Sequence, residues 1–372
     1  MVIVRAGVLT QGNVAVVAET HPKKALIRHL QAFRGFAIVS VVALHGFGDQ
    51  VSYFGGAQHS RGVALLDVLN EAILHDSTTY FALISGLLFP IALRTRGWAT
   101  FFRGRAFNVL APYVVMSILF TLWNHFDEYQ PTAAGGRFSD YAGAILGNLV
   151  TGRAYYHLWY IPIVIVLSIL TPPVAWLCDR PRWQWMIWLI ILLPLVASRT
   201  ALTVSLSSVG YFLGSYCAGM LIGSHYESAL SLFRRHIGAL LAVAALSTML
   251  LLAMYRTGFE WVGFVSARES VFYVQKLAIA ALVIVWFRAN ELQLPQWLMT
   301  AGTFAFPIFF LHAFFLTQLA RGQALLGLAP TGPAGMLFAG VVLIAVSTVF
   351  AVGVGRLAQR LLGKYSRAVI GA

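Results

Sequence analysis

Long apolar runs alternate with short polar connections along this chain. The runs fall at about residues 30–48, 77–93, 106–123, 157–177, 183–198, 207–224, 237–255, 269–287, 300–320 and 334–357. An α-helix rises about 1.5 Å per residue, so about 20 apolar residues cross the hydrocarbon of a bilayer. Runs of this length predict spanning helices rather than strands. The pattern predicts an all-α, polytopic membrane protein with about ten transmembrane helices. The weakest runs are 183–198, interrupted by Pro194, and 207–224, rich in glycine and serine. Small residues inside spans suit close helix packing in lipid. No fixed-period repeat or low-complexity stretch breaks the pattern.

Three regions follow from it. Residues 1–29 form an N-terminal segment outside the membrane. Its short apolar start is broken by Arg5 and by Gln11-Gly12-Asn13, so it does not read as a signal peptide. Residues 30–360 form a membrane domain, and residues 361–372 a tail. The two longest external connections are expected at about 49–76 and 124–156.

Composition sharpens this. The chain has 372 residues, 59% hydrophobic and 10% charged, where a soluble domain carries about 25% charged residues. The net charge of +13 does not call for nucleic acid. With the N-terminus inside, 18 of the 26 lysines and arginines fall on the cytoplasmic side and 7 outside, with Lys276 within a span. That asymmetry predicts both termini in the cytoplasm. Cys178 and Cys217 are too few and too separated for a disulfide framework or a cysteine metal site.

The first run carries the sharpest chemistry. In LQAFRGFAIVSVVALHGFG the only charged or titratable groups are Arg34 and His45. Ionisable groups in hydrocarbon are expensive and mark functional sites by default. Eleven residues rise about 16 Å, about half the hydrocarbon thickness, and eleven steps of about 100° bring both side chains to nearly one face. A fixed cation near one surface and a proton-transfer group deeper in suit general acid–base chemistry. A snorkelling arginine and a hydrogen-bonded buried histidine would give the same pattern. His59 and His75 follow, but without HxH or HExxH spacing, so no metal site is expected.

Four further segments carry candidates. Arg94, Arg96, Arg103 and Arg105 lie within twelve residues, interleaved with Trp98, Phe101 and Phe102. They suit a phosphorylated ligand, or ordinary positive charge beside an interfacial aromatic. YYHLWYIP, residues 155–162, reads as an interfacial belt or as an acceptor platform built on Tyr156, His157 and Trp159. In YFALISGLLFP, Ser85-Gly86 is a packing notch or a point of ligand approach. It lacks the GxSxG elbow of a serine nucleophile. His312, in FFLHAFF, is a second intramembrane histidine, suited to a structural hydrogen bond or to substrate contact.

In this order the segments resemble the integral-membrane acyltransferase-3 family. FRGFAIVSVVALH is similar to its leading motif, an arginine, ten residues and a histidine. YFALISGLLF is similar to its serine-glycine segment. FFRGRAFNVLAPY is similar to its arginine-rich approach to the third span, and FAFPIFFLHAFF to its late histidine segment. YYHLWYIP resembles the His-Leu-Trp segment of the branch that O-acetylates surface polysaccharides. The resemblance runs from residue 30 nearly to the end. Two departures stand out. The family places two arginines three apart where this chain has Arg105 and Asn108, with Arg103 as a compensating candidate. Many relatives carry a C-terminal SGNH domain, which is not expected here because the last span closes near residue 357.

The resemblance implies transfer of an acyl group, most often acetyl, from cytoplasmic acyl-CoA to a hydroxyl of a cell-surface glycan or its lipid-linked precursor. It implies a bacterial inner membrane, a donor site of Arg34, Arg103 and Arg105, and His45, assisted by Arg34, as general base or acyl carrier. Ser85, Tyr156, His157, Trp159 and His312 are then expected to contact substrate, with no metal. The alternatives from other classes are a transporter or flippase of an anionic or lipid-linked substrate, since intramembrane arginine and histidine also mark transport paths, and a sensor that binds without turnover.

Overall fold

The computed structural model describes residues 21–56, 60–125, 137–199 and 203–372. The first twenty residues of the expected N-terminal segment, His59 and part of the 124–156 connection therefore lie outside the described residues. The protein is almost entirely helical. In chain order the helices are α1 (His21–Gln50), α2 (Arg61–Leu74), α3 (Thr78–Leu88), α4 (Trp98–Arg105), α5 (Ala111–His125), α6 (Arg137–Thr151), α7 (Tyr160–Ile169), α8 (Thr171–Cys178), α9 (Gln184–Leu192), α10 (Leu206–Ser224), α11 (Tyr226–Arg235) and α12 (Ile237–Thr257). A short hairpin, β1 (Trp261–Val262) and β2 (Val265–Ser266), leads into α13 (Ala267–Ala289), α14 (Gln296–Thr303), α15 (Ala305–Leu325), α16 (Gly332–Leu362) and α17 (Ser366–Ile370).

Among the described residues, seven helical stretches are long and apolar enough to cross a membrane, or up to nine if each of two bent pairs is one span. The pairs are α7 with α8, bent by 52°, and α14 with α15, bent by 88°. This is a multi-pass membrane protein. Of the ten expected spans, 183–198 alone is neither one of the seven nor one of the bent pairs. There α9 covers nine residues and gives way to a single 3₁₀ turn at Leu193–Leu195, because Pro194 has no N–H to continue the ladder. The segment nevertheless runs between opposite ends of the bundle. Before it, Asp179 pairs with Arg94, just past the C-terminal end of α3. After it, Arg199 pairs with Asp76, just before the N-terminal end of α3.

Three boundaries differ from the sequence reading. α1 starts at His21, nine residues before the expected span. The connections expected at 49–76 and 124–156 contain helices α2 and α6. The tail does not trail away: α17 packs back against α5, and Ser366 Oγ donates to the Ala372 carbonyl at 2.8 Å.

Glycines set the closest helix contacts. A methyl group on Gly86 of α3 would collide with the Tyr216 carbonyl of α10, and one on Gly219 with the Leu83 carbonyl. Gly35 and Gly302 do the same for α1 and α14. Backbone-to-backbone approach of this kind is how helices gain dispersion contact in lipid, where no hydrophobic drive separates helix from tail. It locks α1 and α3, which carry Arg34 and Ser85, into fixed registers with α14 and α10.

Candidate active site

Between α1, α3, α4, α7 and α15 lies a cavity of about 500 Å³. Its polar wall comes from Arg34, Ser85, Arg96, Arg105, Asn108 and, from the returning tail, Arg367. Local backbone turns present these groups. Gly97, at φ 76°, breaks the chain after α3 and starts α4 at a new angle, a conformation open to glycine at little cost. A π-helical turn at Ala106–Leu110 joins α4 to α5, and Asn108 on it donates to the Gly104 carbonyl at 2.8 Å. The Arg105 guanidinium lies 5.3 Å from the Phe101 ring centroid, a cation–π contact that orients it.

The other arginines of that cluster go elsewhere. Arg103 is exposed and does not line the cavity. Arg94 makes a two-bond pair with Asp179, both contacts 2.7 Å, at the surface. Of the three arginines that the resemblance placed in the donor site, Arg34 and Arg105 line the cavity and Arg103 does not; Arg96 and Arg367 line it as well. Gly86 packs on α10 and Ser85 faces the cavity.

Beyond the far end of the cavity stand three histidines from three separate segments. His45, half-buried on α1, has its ring 5.4 Å from that of His312 and 5.1 Å from Tyr156. His157, just before α7, lies 4.8 Å from His312, centroid to centroid. His312 and His157 are 0% and 4% exposed. His312 Nδ1 sits 3.0 and 2.8 Å from the Ile308 and Phe309 carbonyls. Carbonyls only accept, so Nδ1 carries the proton and Nε2 keeps its lone pair. That Nε2 is buried with no hydrogen-bond partner, as are both ring nitrogens of His157. The Phe309 and Phe310 carbonyls lie near His157 without meeting hydrogen-bond geometry. Buried polar atoms are normally satisfied, so unpaired nitrogens on two of these three rings make the cluster a candidate site. Among the described residues, no group of three or more histidine, cysteine or carboxylate side chains is placed to hold a metal ion.

Trp159 does not join this cluster. Its ring packs 5.9 Å from Phe212 and 5.6 Å from the Arg199 guanidinium. Arg199 belongs to a buried ion network absent from the sequence reading. It contacts Asp76 at 3.1 Å, Glu269 at 3.0 Å and His75 Nε2 at 3.3 Å, and Asp76 also accepts from Tyr211 and Thr79. Burial works against the Arg199 charge, but Asp76 and Glu269 outweigh it and hold its pKa above the ordinary arginine value. The network ties the α2–α3 break, the segment after α9 and the start of α13 together, beside the segment that carries His157. Asp49 was also missed. It lies four residues after His45 on α1, and its Oδ2 is buried without a partner. An i, i+4 carboxylate was a readable signal; the ion network, built across 123 and 70 residues of separation, was not.

Together these features define a polytopic membrane protein with an arginine-lined cavity that ends beside a cluster of histidines. The family model described as an acyltransferase domain, of the acyltransferase-3 type, matches residues 27–352, and the chain belongs to that family. It is a membrane acyltransferase. No curated protein matches the chain significantly, and neither does any solved structure.

Proposed function

We propose that the protein transfers an acyl group, acetyl by default, from cytoplasmic acyl-CoA to a hydroxyl of a cell-surface glycan or its lipid-linked precursor, in a bacterial inner membrane. The observation that carries this reading is one cavity with four guanidinium groups on its wall and the histidine cluster beyond its far end. Coenzyme A is a polyanion whose reactive end is a long arm's length from its phosphates. Arginines match phosphate oxygens by forked hydrogen bonds. Arg34 and Arg105, with Arg96 and Arg367, hold the phosphates and orient the thioester, and the basic end of the bundle faces the cytoplasm.

His45 acts as the general base. The acceptor oxygen bonds to the acyl carbon as the carbon–sulfur bond breaks; the hydroxyl proton passes to His45 and on to the departing thiolate. In a two-step variant His45 itself carries the acyl group before passing it to the hydroxyl. His157, His312, Tyr156 and Ser85 contact substrate around this centre, and closely packed rings limit water, the competing acceptor. The acceptor reaches His45 from the side of Tyr156, which is 48% exposed.

Two measurements test this. Membranes containing the protein should release thiol from acetyl-CoA above a blank lacking it. Surface glycans from cells without the protein should lose an acetyl mass increment. No thiol release and an unchanged glycan spectrum together would leave the acyl-CoA reading without support.

A further inference from the structure

The donor cavity does not reach the histidines. None of His45, His157 and His312 lines it. What stands between is visible helix by helix. α3 approaches the histidine end at its N-terminus, and the cavity-lining residue nearest that end is Phe81. On α7 it is Tyr160, and on α15 it is Phe309. On each of these three helices the deepest lining residue is aromatic.

The Phe309 ring touches the other two. Phe309 lies 6.4 Å from Phe81, edge to face, and 6.3 Å from Tyr160. On its other side Phe309 packs 5.4 Å from His157 and 6.0 Å from His312. Offset and edge-to-face rings at such separations are well-packed pairs. They form a plate whose near face closes the cavity and whose far face is the histidine cluster. Phe309 precedes His312 by three residues, so both lie on nearly one face of α15.

We propose that this plate, with Phe309 at its centre, selects the length of the acyl chain and restricts the donor to acyl groups of two or three carbons. The inference rests on the acyl-CoA reading above and adds the residues that decide which acyl group is taken. A thioester advancing along the cavity meets the plate just before it meets His157 and His312. A small side-chain rotation of Phe309 admits an acetyl or propionyl group to the histidines. A longer chain has to displace rings packed on both faces. Interiors this closely packed resist even one extra methylene. The same plate keeps water from the thioester until the acyl group itself fills the opening.

The test compares acetyl-, butyryl- and hexanoyl-CoA by thiol release in membranes containing the protein, with protein-free membranes as blank. The wild type should favour acetyl over hexanoyl by at least about tenfold in kcat/KM. A methylene in an apolar pocket is worth about 10–200-fold in discrimination. Phe309→Ala should therefore move the acetyl-to-hexanoyl ratio by that order, with Phe309→Leu and Phe81→Leu intermediate. Both alanine and leucine variants should also hydrolyse acetyl-CoA faster when no acceptor is present. Phe315→Ala is the control, since Phe315 packs on Phe350 at 5.7 Å and does not line the cavity; its ratio should match wild type. Should Phe309→Ala not fold, Phe309→Leu carries the comparison. A wild type indifferent to chain length, or folded plate variants with an unchanged ratio, overturns the proposal while leaving acyl transfer standing. No turnover with any donor removes the transfer reading itself.

Discussion

Removing the Arg34 guanidinium should weaken coenzyme A binding far more than removing that of Arg103, although the family resemblance puts both in the donor site. Arg34 is half-buried on the wall of the cavity of about 500 Å³. Arg103 is exposed and outside the cavity. A hydrogen bond to a charged group contributes about 1.5–3 kcal/mol, and each 1.4 kcal/mol is tenfold in affinity. Arg34→Ala should thus raise the Kd for coenzyme A by roughly 10–150-fold. Arg105→Ala should do the same toward the lower end, because its guanidinium is already oriented by Phe101 and shared with that ring. Arg103→Ala should change Kd by less than threefold, the scale of a screened surface charge. Isothermal calorimetry on detergent-purified, folded variants reads all three. If Arg103→Ala loses as much affinity as Arg34→Ala, the cavity is not the donor site and the reasoning from its lining fails.

His45→Ala should abolish transfer while donor binding persists, with a loss of about 10²–10⁴-fold for a general base. Turnover per folded molecule settles this, and a near-normal rate in His45→Ala beside a dead His157→Ala or His312→Ala would put the base on another ring. Arg199→Met should leave the buried Asp76 carboxylate without its counter-charge, at a cost of about 3–5 kcal/mol. A clear drop in melting temperature in detergent is expected, and an unchanged one would mean that the ion network contributes nothing to stability.

The sequence by itself determined the class of protein and the two ionisable groups of its first helix. Span-length apolar runs need no partner to be read, because the bilayer is the solvent that each of them meets alone. Arg34 and His45 were legible for the same reason: an ionisable group in hydrocarbon is costly wherever the rest of the chain goes. The ordered motifs pointed to the family, and the family model agrees over residues 27–352. Pro194, visible as an interruption, was correctly the mark of the weakest span, since the missing N–H is a local property.

Tertiary structure decided everything that depends on which helices meet. Four arginines in twelve residues are equivalent as a string. Only the break at Gly97 and the π turn at Ala106–Leu110 send Arg105 into the cavity, Arg94 to Asp179 and Arg103 to the surface. Nothing local in the tail says that α17 folds back to place Arg367 on the cavity wall. Trp159 sits two residues from His157, yet faces Phe212 and Arg199 instead of the histidines. The histidine cluster itself joins residues 45, 157 and 312. Such contacts are set by the glycine-to-backbone registers of α1 on α14 and α3 on α10. Packing between distant segments is a property of surfaces brought together by the fold, and no single segment carries it.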